Sequence, residues 1–275
     1  MGSFTTTLVP DVGRLLALHM DELPQKDELC GPFWGTLALR LSGHARSPDG
    51  DAVDQDTVAL EAGTVLSPPP RLDSLPPGDP GRSDYRLLLP SLATSATSGT
   101  SVSGVARAVH TLSGGAVDAI PIAGPWDPTA VRTVINIAVA DPGVRLIVAN
   151  VSTALLWGSR PSPSQLVGYL QTGDPSSGPP PDWDVGHFVA LLGFVAGERG
   201  TLVVTADTYW SLGWTGVHLQ PVERVSNGLD RNGTNSGGIV LFVDADRSTQ
   251  VEAELTKARF TLAMWDNGSI DRRRS

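Results

Sequence analysis

Sulfur is almost absent from this chain: of 275 residues, one is cysteine, Cys30. A lone thiol forms no disulfide within the chain and builds no zinc site by itself. Five scattered histidines do not make up the shortfall, so no metal or other cofactor is expected. Positive charge is also scarce. Lys and Arg number 20 against 29 Asp and Glu, a net charge of −9. No basic stripe exists to neutralise phosphates, which argues against nucleic acid as a partner. The one basic cluster, Arg272 to Arg274, reads as a solvated tail. Long apolar runs are missing too. The most apolar stretch, Val131 to Trp157, is interrupted by Arg132, Asp141, Pro142 and Arg145, so no membrane span and no membrane partner are expected. The first residues lack a charged segment followed by an apolar core, the mark of a secretory signal. Together with the unpaired thiol this points to a reducing cytoplasm. Also absent are a Gly-x-Ser-x-Gly elbow, a Gly-x-x-x-x-Gly-Lys-Ser/Thr loop and a His-Glu-x-x-His helix.

What the chain does contain is turn-forming residues, with 30 Gly and 22 Pro. Such usage implies many loops rather than wholesale disorder. Proline-rich stretches lie at 67–71, 75–83 and 173–182, too stiff for a helix or a central strand. The polar low-complexity run 91–103 reads as an exposed linker. Between them, apolar spacing predicts helices over Phe4 to Met20, from Cys30 to about Gly43, Ser103 to Leu112, Asp127 to Ala140, Ser162 to Leu170 and Val222 to Leu229. Strands are predicted at Ala116 to Ile122, Arg145 to Val151 and Ile239 to Val243. Asp56 to Leu66 suits a short helix or strand, Val251 to Met264 a last helix or strand pair, and Asp266 to Ser275 a frayed end.

Cys30 precedes an apolar run with helical spacing (Phe33, Trp34, Leu37, Ala38, Leu41), and Gly31 and Pro32 mark the first turn. A thiol at the mouth of a helix meets free N–H groups and the positive end of the dipole, which favour the nucleophilic thiolate. Buried cysteine also serves as a small apolar side chain, so Cys30 alone decides nothing. A partner appears far downstream. Gly186 to Phe194 reads as a strand that opens with His187; Gly197-Glu-Arg-Gly200 is a turn; Thr201 to Ala206 is a second strand, closed by Asp207. In such a hairpin His187 and Asp207 share one end, where the carboxylate can fix the imidazole tautomer and stabilise the imidazolium. His218 is a rival base, ranked lower for want of a carboxylate on a neighbouring strand. Trp34 and Trp210 are candidate substrate-binding aromatics, although a packed cap over the hairpin suits the cluster around Trp210 equally well.

The order Gln25, then Cys30-Gly-Pro on a helix, then Gly186-His-Phe-Val opening a strand, then Ala206-Asp closing the next, resembles the papain-like cysteine peptidases. The bacteriocin-processing, double-glycine leader peptidase branch is the nearest in pattern. The segment Gly213-Trp-Thr-Gly-Val-His-Leu-Gln-Pro221 resembles an uncharacterised bacterial family within that superfamily. Two departures stand out: Gln25 lies five residues before Cys30 where the pattern has six, and Thr208 replaces a proline after the aspartate. The resemblance implies an α+β, papain-like fold, with an N-terminal helical lobe carrying the cysteine and a C-terminal antiparallel sheet carrying the histidine and aspartate. It implies one domain over 1–275, with proline-rich insertions at about 67–103 and 173–182 and an extension over about 210–275. Cys30 is then the nucleophile, His187 the general base and acid, Asp207 its orienter, and Gln25 an oxyanion donor together with the Cys30 backbone N–H. The expected activity is acyl transfer on a peptide or acyl substrate. Peptide or isopeptide hydrolysis is the default; an acyltransferase, a peptide-tailoring enzyme and a non-catalytic binding module are the alternatives.

Overall fold

The computed structural model describes residues 4–68, 75–92, 97–231 and 237–269. Part of the first proline-rich stretch (69–71), part of the low-complexity run (93–96) and the Arg272 to Arg274 cluster lie outside the described residues.

The first element is a strand, β1 (Thr5–Leu8), where apolar spacing predicted the start of a long helix. Three consecutive threonines favour extended backbone. Pro10 and Asp11, the latter at φ 54°, then separate this strand from helix α1 (Val12–Glu22). Helices α2 (Cys30–Leu41), α3 (Gln55–Ala62) and α4 (Val102–Leu112) follow. Strand β2 (Val117–Ala123), helix α5 (Pro128–Ala140), strand β3 (Val144–Ser152) and helix α6 (Pro163–Thr172) come next. The chain continues through β4 (Gly186–Ala196), β5 (Thr201–Ala206), β6 (Val217–Pro221), α7 (Val222–Asp230), β7 (Gly238–Asp244) and α8 (Ser248–Lys257). Local chemistry explains several ends. Asp127 accepts from the Ala130 N–H to cap α5, with Pro128 in its first turn. Ser162 and Gln165 form a capping box on α6.

The fold is mixed α+β, built on an antiparallel sheet in the order β2-β7-β3-β4-β5-β6. Strand β4 is long enough to serve two neighbours along one edge. Its first half pairs with β3, and its second half, from Gly193, pairs with β1. A bulge between Leu191 and Gly193 marks the change. Gly193 has φ 136°, and a side chain there would strike the Thr7 carbonyl, so only glycine lets β1 close in.

Helices cover both faces. Gly31 of α2 lies against the Phe188 ring, whereas Gly228 of α7 lies against Val151. Val151 pairs with His187, the residue before Phe188, so the pleat sends Val151 and Phe188 to opposite faces. Helices α1, α3 and α4 group around α2, while α5 is packed with both α7 and α8. A glycine at position 31 is a packing requirement: a Cβ there would come within 2.9 Å of Val105 Cγ2.

The segment that leads into α2 is held by charge. Lys26 Nζ lies 2.9 Å from Asp56 Oδ2, with the carboxylate fully buried, and also donates to the Asp84 carbonyl. Arg40 pairs with Glu22, and Arg86 reaches Asp54, the α3 cap. Among the described residues no helix is long and apolar enough to cross a membrane.

Candidate active site

Three elements bring the candidate residues to one cavity of about 230 Å³. Helix α2 begins at Cys30, β4 carries His187 as its second residue, and Asp207 follows the last residue of β5. Cys30, His187 and Gln25 line the cavity, and Asp207 stands behind the imidazole. His187 and Asp207 are each only 2% exposed, and Nε2 of the ring lies 3.0 Å from Asp207 Oδ1. The same carboxylate oxygen accepts from the Thr208 backbone N–H at 2.7 Å. With Nε2 committed, Nδ1 is the ring atom left for the thiol.

Electrostatics tie the three together. Burial by itself pushes His187 down, but the Asp207 charge and hydrogen bond outweigh it, and Cys30 adds to them. The result is an imidazole pushed up to about 10, protonated at neutral pH beside the Asp207 carboxylate. Asp207 is the mirror case. Burial pushes it up, yet the His187 charge and hydrogen bond, with a further contribution from His218, hold it well below the usual carboxylate range.

Gln25 is buried and anchored at both ends of its amide. Its Oε1 accepts from Thr208 Oγ1 at 2.5 Å, and its Nε2 donates to Tyr209 Oη at 2.8 Å. Its own backbone N–H donates to the Thr208 carbonyl. The amide nitrogen thus lies at the cavity with one N–H engaged by Tyr209. Thr208, the residue after Asp207, thus holds Gln25 through both its hydroxyl and its carbonyl.

Neither tryptophan singled out from the sequence is a cavity wall. Trp34 is 0% exposed; it donates its indole N–H to the Phe188 carbonyl and stacks on His19, so it packs α2 onto the sheet. Trp210 is 43% exposed and does not line the cavity. The aromatic wall is made instead by Trp183 and Tyr209. Trp183 lies edge-on to both His187 and Tyr209, at 5.0 and 5.6 Å.

Other walls come from segments read as featureless. Residues 98–100, taken for an exposed linker, line the cavity, and so does 267–269, expected to fray. The two are stitched together: Asn267 Nδ2 donates to the Thr100 carbonyl and Ser269 Oγ to the Ser98 carbonyl. Asn150 of β3 and Glu28 complete the polar lining; Glu28 is held by the Ser67 N–H and hydroxyl. His218 also differs from expectation. It stands on β6, beside β5, with Nε2 3.7 Å from Asp207 Oδ2, so the carboxylate it was thought to lack is Asp207 itself. Among the described residues no group of three His, Cys, Asp or Glu is arranged to hold a metal ion.

Residues 9–266 match the model of a protein family described as a family of unknown function (DUF6885). No curated protein matches the sequence.

Proposed function

Because the chain belongs to DUF6885, whose description names no activity, we propose one from the site itself: a cysteine-dependent acyl-transfer enzyme of papain-like type, a thiol peptidase or amidase acting through an acyl-enzyme. The observation that carries this reading is the His187 ring. It is buried, bonded through Nε2 to Asp207, whose charge and hydrogen bond raise its pKa, and it shares one cavity with the thiol at the mouth of α2.

In the proposed reaction the Cys30 thiolate attacks the carbonyl carbon of a peptide or isopeptide bond, and the C=O electron pair moves onto oxygen. The Cys30 backbone N–H, which as the first of a helix has no intrahelical acceptor, and the Gln25 side-chain amide stabilise that oxyanion. Collapse of the tetrahedral centre breaks the C–N bond as the His187 imidazolium gives its proton to the departing amine. The now neutral ring then takes a proton from water, which attacks the thioester; Cys30 leaves as thiolate and the acid product departs. Asp207 keeps the ring in one tautomer throughout. Trp183 and Tyr209 shield the imidazole from solvent on the cavity side.

The test is covalent capture. Incubation with electrophilic peptide and thioester probes, read by intact mass, is expected to add a single adduct on Cys30 in the wild type and none in Cys30→Ala. Alkylation by iodoacetamide at neutral pH is expected to slow by about 100-fold in His187→Ala, the range of a lost general base. Equal rates in the two proteins would sink the proposal.

A further inference from the structure

Asp207 has a second imidazole behind it. His218 is 3% exposed and projects from β6, the strand next to β5, which ends just before Asp207. Its Nε2 is buried without a hydrogen-bond partner and lies 3.7 Å from Asp207 Oδ2. The other oxygen, Oδ1, is already taken by His187 and by the Thr208 N–H. The two imidazoles therefore approach the two oxygens of one carboxylate.

Which proton His218 carries follows from its other neighbours. Gln220 Oε1 accepts from the Trp157 N–H at 2.8 Å, and Gln220 Nε2 donates to the Trp157 carbonyl at 2.9 Å. That double bond to one backbone unit fixes which end of the amide is nitrogen. The second N–H of Gln220 then points at His218 Nδ1, 3.0 Å away, so Nδ1 accepts. Thr205 Oγ1, also 3.0 Å from Nδ1, donates its single proton to the His218 carbonyl or to the ring. A neutral ring whose Nδ1 accepts must carry its proton on Nε2, the atom that faces Asp207.

We propose that His218 is a positioning residue for the site: held as the Nε2–H tautomer by Gln220 and the Trp157 backbone, it donates to Asp207 Oδ2 and so fixes the carboxylate that orients His187. This rests on the acyl-transfer reading above and extends it by one link. The 3.7 Å separation is a long approach, which a small side-chain rotation shortens to a hydrogen bond, as is common in sites without substrate. The attraction of His218 is also among the forces that keep Asp207 ionised.

The test is the rate of Cys30 alkylation by iodoacetamide at neutral pH in four full-length proteins: wild type, His187→Ala, His218→Leu and His218→Gln. A glutamine amide nitrogen sits close to where Nε2 stands and retains a donor; leucine does not. The expected result is a loss of about tenfold in His218→Leu, the size associated with one hydrogen bond to a charged group, with His218→Gln within about threefold of wild type. Equal losses in both His218 variants, or no loss in either while His187→Ala is slow, would overturn the inference and leave the thiol–imidazole reading intact. A wild-type rate no faster than His187→Ala would remove both. Should His218→Leu fail to fold, Gln220→Leu decides: it keeps the imidazole and frees its tautomer. A slower rate together with a shifted His187 ring-proton resonance supports the proposal; an unchanged rate and resonance overturn it.

Discussion

On one side of the cavity Cys30 projects from a helix whose approach is pinned by charges: Lys26 with Asp56, Arg40 with Glu22, Arg86 with Asp54. On the other side His187 and Asp207 stand on adjacent strands, backed by a ladder of hydrogen bonds and an apolar core. Both sides contain a buried ion pair, but the two pairs are not equivalent. Lys26–Asp56 joins two loops to a helix and does not line the cavity of Cys30, whereas His187–Asp207 adjoins that cavity and, in the reading proposed above, takes part in the chemistry. The contrast separates charge kept for architecture from charge kept for reaction. An architectural pair is replaceable by apolar groups of similar volume; a reactive one is not.

Removing half of the reactive pair should have the largest effect. Asp207→Ala leaves a buried imidazole without its counter-charge, and urea denaturation should show a loss of about 3–5 kcal/mol. Cys30 alkylation should collapse in the same protein. The architectural pair should behave differently under double replacement. Lys26→Met alone strands the Asp56 carboxylate and should cost a similar amount, yet Lys26→Met with Asp56→Leu should recover to within about 1–2 kcal/mol of wild type and keep the thiol reactive. If the double variant loses reactivity, the two pairs are coupled and the contrast fails.

The pH dependence sharpens the same comparison. His187 is raised from 6.5 to about 10, so its contribution to stability is fully present below 6.5 and is lost as pH climbs through 10. Asp207 is depressed, so its contribution is present above 3.8 and falls away only as pH drops below that value. Urea midpoints of the wild type should therefore decline on the alkaline side, and His187→Gln should lack most of that decline. A matching decline in the variant would place the titration elsewhere.

Smaller effects are expected from packing. Gly31→Ala forces a methyl into Val105, and overpacking of this kind costs about 1–3 kcal/mol. Because Gly31 adjoins Cys30, alkylation of the thiol should slow as stability falls. Trp210→Ala, at an exposed position off the cavity, should change stability by no more than about 0.5 kcal/mol and leave alkylation unaltered. A marked loss there would restore Trp210 as a site residue.

Much of the framework was readable from local pattern. Asp127-Pro128 followed by Val131, Val134, Ile135 and Ala138 announces α5, and those are the residues the helix buries. The Gly197–Gly200 turn between two apolar runs announces the β4–β5 hairpin, and hence the meeting of His187 with Asp207. Strand β6 was unreadable for a physical reason. Its inward residues are His218 and Gln220 while Val217 and Leu219 are partly exposed, so its polarity runs opposite to that of an ordinary half-buried strand. That inversion is what hid the approach of His218 to Asp207. Strand β1 was concealed by tertiary context, since four residues without a partner carry too little pattern to outweigh the helix that follows. The walls at 98–100 and 267–269 have no periodicity at all; only the folded chain brings them together.

The Trp34 indole and the Phe188 carbonyl lie 154 positions apart in sequence, yet their bond joins the helix that begins at Cys30 to the strand that carries His187. During ribosomal synthesis, therefore, the cysteine emerges long before the groups that would arm it. On the acyl-transfer reading, a nascent or truncated chain that ends before β5 lacks the carboxylate that holds His187, and the thiol gains its full set of partners only when that strand docks. Long-range closure of this kind is slow to form, which makes the armed thiol a late reporter of successful folding.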